Sequence, residues 1–235
     1  MLRRLHTPRL SVGEIPLDSA QARHARDVLR LTDGTVVELF DDAGAVATGT
    51  LILHGAHEAL VRVEQVEQAS AGALRLTVAS AVPKGERADW MVEKLSELGV
   101  AEFIPLATER SVVKPEGKNK YERWVRIATE SAKQSRRVGV MRIADLTPLA
   151  KLLAHPPESI CYLSTEPNAR PILETIRAFP ESCTLLVGPE GGWSPGELEL
   201  LEKSNAMGAR LTQTVLRVET AAIAGAAAAL ILSAG

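Results

Sequence analysis

Cys183-Thr184-Leu185-Leu186-Val187-Gly188-Pro189-Glu190-Gly191-Gly192-Trp193-Ser194-Pro195-Gly196-Glu197 is the stretch that decides the fold. The apolar run 183–188 reads as a buried strand, and it passes directly into a glycine-rich loop. A helix follows, announced by residue type: Ser194 as cap, Pro195 at the first helical position and Glu197 completing a capping box. Loops beyond the C-terminal ends of strands are where open α/β sheets bind ligands. This loop is neither GxGxxG nor a Gly-Lys-Ser/Thr P-loop, so neither a dinucleotide nor a P-loop nucleotide is supported. Glu190 repels phosphate but tolerates a ligand that carries positive charge. Taken alone, the loop reads equally well as a plain strand-to-helix turn.

Working outward, residues 74–80, 101–106, 159–164 and 209–215 read as further strands alternating with helices. One helix, 86–98, carries the stripe Trp90, Met91, Leu95 and Leu98 and ends at Gly99. A second repeats Tyr121, Trp124, Val125, Ala128 and Ala132 at helical spacing, with Lys120, Arg123, Lys133, Arg136 and Arg137 on its other faces. The alanine-rich run 219–232 closes the chain as a helix whose small side chains allow close approach to the sheet, the loop or a second subunit. Residues 34–66 have another texture: short β-rich runs at 35–40, 46–53 and 59–66, broken by turns such as Asp41-Asp42-Ala43-Gly44. That is a small barrel or sheet. The small-residue stretch 68–73 separates the two textures, which gives domains of 1–70 and 71–235.

With 235 residues, 46% of them hydrophobic, the chain is large and apolar enough to bury a core. The longest apolar run, 221–232, falls short of the roughly 18 to 20 residues that cross a bilayer, and Met-Leu-Arg-Arg-Leu-His is not followed by the apolar core of a secretory signal. A cytoplasmic location is expected. Cys161 and Cys183 lie in strand-like apolar runs without metal-ligand spacing, and the five histidines are scattered, so reduced core thiols and no metal site are expected. The net charge of −2 is unevenly divided: residues 1–30 sum to +3, residues 110–142 to +7 and the remainder to −12. Two basic segments facing a polyanion fit this division, and so do two solvated helix faces.

A second constellation, Leu216-Arg217-Val218-Glu219-Thr220-Ala221, joins an apolar strand to the alanine helix. Arg217 either pairs with Glu219 or points into the site beneath the glycine loop; Glu219 and Thr220 are also candidate helix caps.

Longer blocks carry a resemblance. Val82-Pro83-Lys84-Gly85-Glu86-Arg87 continues through Trp90, Glu93-Lys94, Glu97-Leu98-Gly99-Val100, Ile104-Pro105 and Glu109-Arg110-Ser111-Val112-Val113. Together with Gln134-Ser135-Arg136-Arg137, the loop 188–192 and the Arg217 block, these resemble the 16S ribosomal RNA uridine N3-methyltransferase family, of the SPOUT superfamily. The N-terminal part, with His24, Val28-Leu29-Arg30-Leu31, Gly34 and Leu39-Phe40-Asp41, is similar to that family's small RNA-binding barrel of PUA type. Two positions depart from the family pattern: Thr212 follows Leu211 where glycine is usual, and Val218 stands where threonine separates the Arg and Glu.

The resemblance implies an α/β fold: a SPOUT-type parallel sheet with a C-terminal trefoil knot, preceded by a PUA-like β-barrel, working as a homodimer on 16S rRNA or the small ribosomal subunit. It implies S-adenosyl-L-methionine as cofactor, bound by Leu163, Ser164, Val187, Gly188, Pro189, Glu190, Gly191, Gly192, Leu211, Thr212, Val215, Leu216 and Arg217. Arg217 and, with a lower claim, Glu219 would be catalytic. Arg3, Arg4, Arg9, His24, Arg26, Arg30, Lys84, Arg110, Arg136 and Arg137 would grip RNA. Two other classes compete. A non-catalytic RNA-binding protein would use the loop only as structure. A nicotinamide enzyme needs an acidic residue about 20 positions beyond the loop, and residues 207–211 offer none.

Overall fold

The computed structural model describes residues 2–55, 58–68, 74–113, 117–157, 159–179 and 181–233; the boundary stretch 69–73 lies outside the described residues. Two compact units divide the chain, one of Met1–Ala71 with Ala132–Val140, the other of Gly72–Ser131 with Met141–Gly235.

In the first unit, β1 (Arg3–His6), β2 (Gly13–Pro16), the short helix α1 (Ser19–Arg23), β3 (Val36–Phe40), β4 (Ala45–His54), β5 (Glu58–Val63) and β6 (Glu67–Gln68) follow in order. The sheet runs β1-β3-β4-β5-β2, with β6 on β4; only the β1–β3 pair is parallel. Period-two alternation along β4 buries Ala45, Ala47 and Leu51 against Leu5, Val37, Leu39 and Val61. The β3–β4 turn is closed by Asp41, buried, which accepts from the amides of Leu10, Ala43 and Ala45 at 3.0, 3.0 and 2.8 Å. Three donors justify burying this carboxylate.

Charge counting misjudges this unit. Arg4 is buried over the Phe40 ring, pairs with Glu38 at 2.7 Å, and donates to the carbonyls of Ala132 and Arg137. Arg136, in the left-handed region at φ 56°, reaches the other Glu38 oxygen at 3.0 Å. Arg137 is half-buried, and burial pushes its guanidinium down to about 10. A buried guanidinium such as that of Arg4 must be paired inside the protein, and Arg136 shares its carboxylate partner.

The second unit contains β7 (Arg75–Ser80), α2 (Glu86–Leu98), β8 (Glu102–Ala107), α3 (Lys118–Ser135, its last turn from Ala132 counted with the first unit), β9 (Arg142–Ile143), β10 (Thr147–Pro148), α4 (Leu149–Ala154) and β11 (Ile160–Leu163). Then come β12 (Arg170–Pro171), α5 (Ile172–Ile176), β13 (Ser182–Val187), α6 (Pro195–Lys203), β14 (Met207–Arg210) and α7 (Val218–Ser233). All pairs are parallel, in the order β10-β8-β7-β13-β11-β14-β12, with β9 on β8. Helices cover both faces, as a parallel sheet requires. Leu186 packs with α4 and α6 through Leu149, Leu153 and Leu201, whereas Leu185 faces α7 on the opposite side.

The alanine helix α7 buries Ala222, Ala226 and Ala229 and lies on α2, β7 and β13. Gly225 is required by this contact: a Cβ there would stand 2.8 Å from Leu185. In α2 the buried face is Ala88, Met91, Val92 and Leu95, while Trp90 and Leu98 of the expected stripe are largely exposed. Cys161 and Cys183 are free and buried in neighbouring strands, and burial pushes both thiols up to about 12. Among the described residues no helix is long and apolar enough to cross a membrane, and no cluster of acidic, His or Cys side chains is placed to hold a metal.

Candidate functional site

Three adjacent strands, β13, β11 and β14, end at the same edge of the second sheet, and the segments that leave them wall a cavity of about 720 Å³. That size suits a drug-sized ligand. Leu163 and Ser164 come from the end of β11; Val187, Gly188, Pro189, Glu190, Gly191 and Gly192 from β13; Leu211, Thr212, Val215 and Leu216 follow β14. Twelve of the thirteen residues expected around a cofactor therefore line one cavity, and Arg217 is the thirteenth, outside it. The wall also includes Thr165, Glu166, Pro167, Trp193 and Arg210, which sequence reasoning did not name. The first three were within reach of it, since they simply continue the segment that begins at Ser164.

The expected strand 209–215 is a correction. Pairing stops at Arg210, and residues 211–217 form a loop in which the Thr212 hydroxyl donates to the Thr214 carbonyl at 2.7 Å. The apolar Val215 is 78% exposed at the cavity wall.

The glycine loop is braced from three directions. The Trp193 ring lies so close to Gly188 that a Cβ would meet it at 2.9 Å, and its indole N–H donates to the Leu163 carbonyl at 3.0 Å. Tyr162 meets the indole edge-on, and burial, then the carboxylates of Glu202 and Glu166, raises its phenol above the ordinary range. Arg110, expected to grip RNA, instead lines this cavity and donates to the Gly191 carbonyl at 2.7 Å. Gly192 takes φ 69°, which reverses the chain toward α6 without side-chain strain.

The capping box at Ser194 is formed, and its glutamate does more than cap. Glu197, buried, accepts from Ser194 N at 2.8 Å with one oxygen and from Glu109 N at 2.8 Å with the other. Glu197→Ala would strand two amides, each costing about 1–3 kcal/mol if left unsatisfied. We expect a loss of roughly 2–4 kcal/mol in chemical denaturation, with Glu197→Gln losing less.

Arg217 and Glu219 do not pair. Residues two apart do not face each other on a helix start, and here Arg217 is exposed without an ion-pair partner among the described residues, while Glu219 is buried. The partner of Glu219 is Arg87 of α2, at 3.2 Å, and the same Arg87 nitrogen stands 3.8 Å from Glu190. Of the remaining basic residues, Arg3, Arg9, Arg30 and Lys84 are exposed and His24 is half-exposed. Arg26 is tied to the carbonyls of His54 and Glu58 at 3.2 and 2.7 Å, bracing the β4–β5 connection.

Residues 70–230 match the RNA methyltransferase domain family, and residues 17–64 match the RNA methyltransferase PUA domain family. The chain is 32% identical over 214 residues to a ribosomal RNA small subunit methyltransferase E of Synechocystis, covering 88% of this chain and 69% of that protein. It is 30% identical over 217 residues to the Mycobacterium bovis protein of the same name, covering 88% and 82% respectively. The crystal structure of a ribosomal RNA small subunit methyltransferase E from Neisseria gonorrhoeae, bound to S-adenosyl methionine, superposes with a TM-score of 0.86 at 27% identity, covering 97% and 96% of the two chains. The chain belongs to the ribosomal RNA small subunit methyltransferase E family.

Proposed function

We propose that this protein methylates N3 of a uridine in 16S ribosomal RNA, with S-adenosyl-L-methionine as donor. The observation that carries the proposal is the cavity at the ends of β11, β13 and β14. Its walls combine close-set backbone at Gly188 with carboxylates at Glu166 and Glu190, guanidiniums at Arg110 and Arg210, and no phosphate-binding fingerprint. That mixture of charges fits a ligand bearing an amino group, a carboxylate and a sulfonium. When bound, S-adenosyl-L-methionine supplies an electrophilic methyl group, and every other demand falls on the protein.

The uracil imide must lose its N3 proton, to solvent water, as the nitrogen attacks; the N–CH3 bond forms as the S–CH3 bond breaks and its electron pair stays on sulfur. Arg217 stands between Leu216 and Val218, both in the cavity wall, and its exposed guanidinium is available to a nucleobase entering there. A charge-assisted hydrogen bond to a uracil carbonyl is worth about 1.5–3 kcal/mol. That corresponds to roughly one to two pKa units of imide acidity. Holding donor and nitrogen in line supplies much of the remainder. Glu219, enclosed and engaged with Arg87, is better suited to fixing the start of α7 than to taking the proton.

The first unit serves as the PUA-like RNA platform, with Arg3, Arg9, His24 and Arg30 as its surface contacts and Lys84 as a contact from the second unit. The family resemblance extends the reading to a homodimer, a cytoplasmic setting and a knotted C-terminal segment. Incubating the protein with methyl-labelled S-adenosyl-L-methionine and small ribosomal subunits, then mapping the RNA by mass spectrometry, is expected to place one methyl on one uridine base. Label found on ribose, or none on RNA, would refute it.

A further inference from the structure

We infer that Arg87 is a positioning residue which fixes the start of α7, and with it the point from which Arg217 projects, to the glycine-rich loop. The inference rests on the role proposed for Arg217. Gly85, with φ 66°, turns the chain into α2 and sets Arg87 in the first helical turn, where α2 packs on α7. From there one guanidinium nitrogen faces two carboxylates on two different segments: Glu219 Oε1 of α7 at 3.2 Å and Glu190 Oε1 of the loop at 3.8 Å.

The two arms differ in strength. Glu219 is 6% exposed, and its Oε2 has no hydrogen-bond partner among the described residues. Arg87 is thus the ion-pair partner of a carboxylate that has left water, and breaking one partner from such a pair is far more damaging than losing a surface contact. Glu190 is 62% exposed, the distance is long, and solvent weakens that arm. Without Arg87, the buried carboxylate is left without its counter-charge and is driven to swing toward water. That movement loosens residues 217–221, because Glu219 lies in the first turn of α7 and the Ala221 amide bonds to the Arg217 carbonyl at 2.8 Å. The loop keeps its other braces, Trp193 and Arg110.

The test follows from that asymmetry. Arg87→Gln is expected to lower single-turnover methyl transfer at least tenfold while the Kd for S-adenosyl-L-methionine changes less than threefold. Arg87→Lys, which keeps the charge within reach of Glu219, is expected to recover most of the loss. Arg87→Gln combined with Glu219→Gln should be no slower than Arg87→Gln alone, because the two act as one unit. Amide hydrogen exchange of residues 217–221, read without donor or RNA, should rise in Arg87→Gln and return in Arg87→Lys. Unchanged exchange at 217–221 overturns the inference whatever the protein's activity; a donor Kd that weakens in step with turnover overturns it too. A parent protein that fails to methylate RNA removes the proposed function, and the exchange measurement still decides the role of Arg87.

Discussion

Arg217→Ala is expected to slow methyl transfer by roughly 10²-fold, the usual consequence of removing a donor aimed at developing negative charge. Affinity for S-adenosyl-L-methionine should stay within severalfold, because Arg217 is exposed and is not among the residues that wall the cavity. Single-turnover assays at saturating donor read the first quantity and calorimetry the second. Arg217→Lys should fall between, since an ammonium lacks the planar fork of a guanidinium. Unchanged turnover in Arg217→Ala would remove this residue from the chemistry and leave the proposed imide activation without a group to perform it.

The second large effect lies at Gly188. Its Cα faces the Trp193 ring, and a methyl group there would sit 2.9 Å from Cε2. The indole cannot retreat freely, being tied to the Leu163 carbonyl and set edge-on against Tyr162. Gly188→Ala must therefore displace the loop. Overpacking of this kind costs about 1–3 kcal/mol, which corresponds to a roughly 5- to 150-fold weaker Kd for the donor. Circular dichroism should show the fold intact. Adding Trp193→Ala should relieve the clash and recover part of the affinity; no recovery would mean that the glycine is needed for contact with the ligand itself.

How far the sequence discloses this site depends on how local the chemistry is. The helix Glu86–Leu98 and the capping box at Ser194 were legible because caps, Gly99 and helical spacing act over a few residues. The strand expected at 209–215 was over-read for the same reason. Leu211, Thr212, Thr214 and Val215 have the side chains of a strand, but β11 ends at Leu163 and β12 at Pro171, so no ladder remains for them. Burial of charge was invisible. Counting arginines registers the sign of Arg4 and Arg137, whereas depth is set by Glu38, Phe40 and the end of α3. The Arg87–Glu219 pair joins residues 132 apart, and only the packing of α2 on α7 brings them together.

The placement of β13 between β7 and β11 also dictates an order of events on the ribosome that makes this chain. When residue 163 has emerged, β7 and β11 both exist, yet the strand that belongs between them has not been synthesised. The middle of the sheet stays open until residue 187 appears, and the last wall, 211–221, follows later still. At about 5–20 residues per second, the nascent chain spends seconds with apolar strand edges waiting for a neighbour. Ligand cannot shorten that exposure, because its chamber is incomplete until residue 221 has emerged.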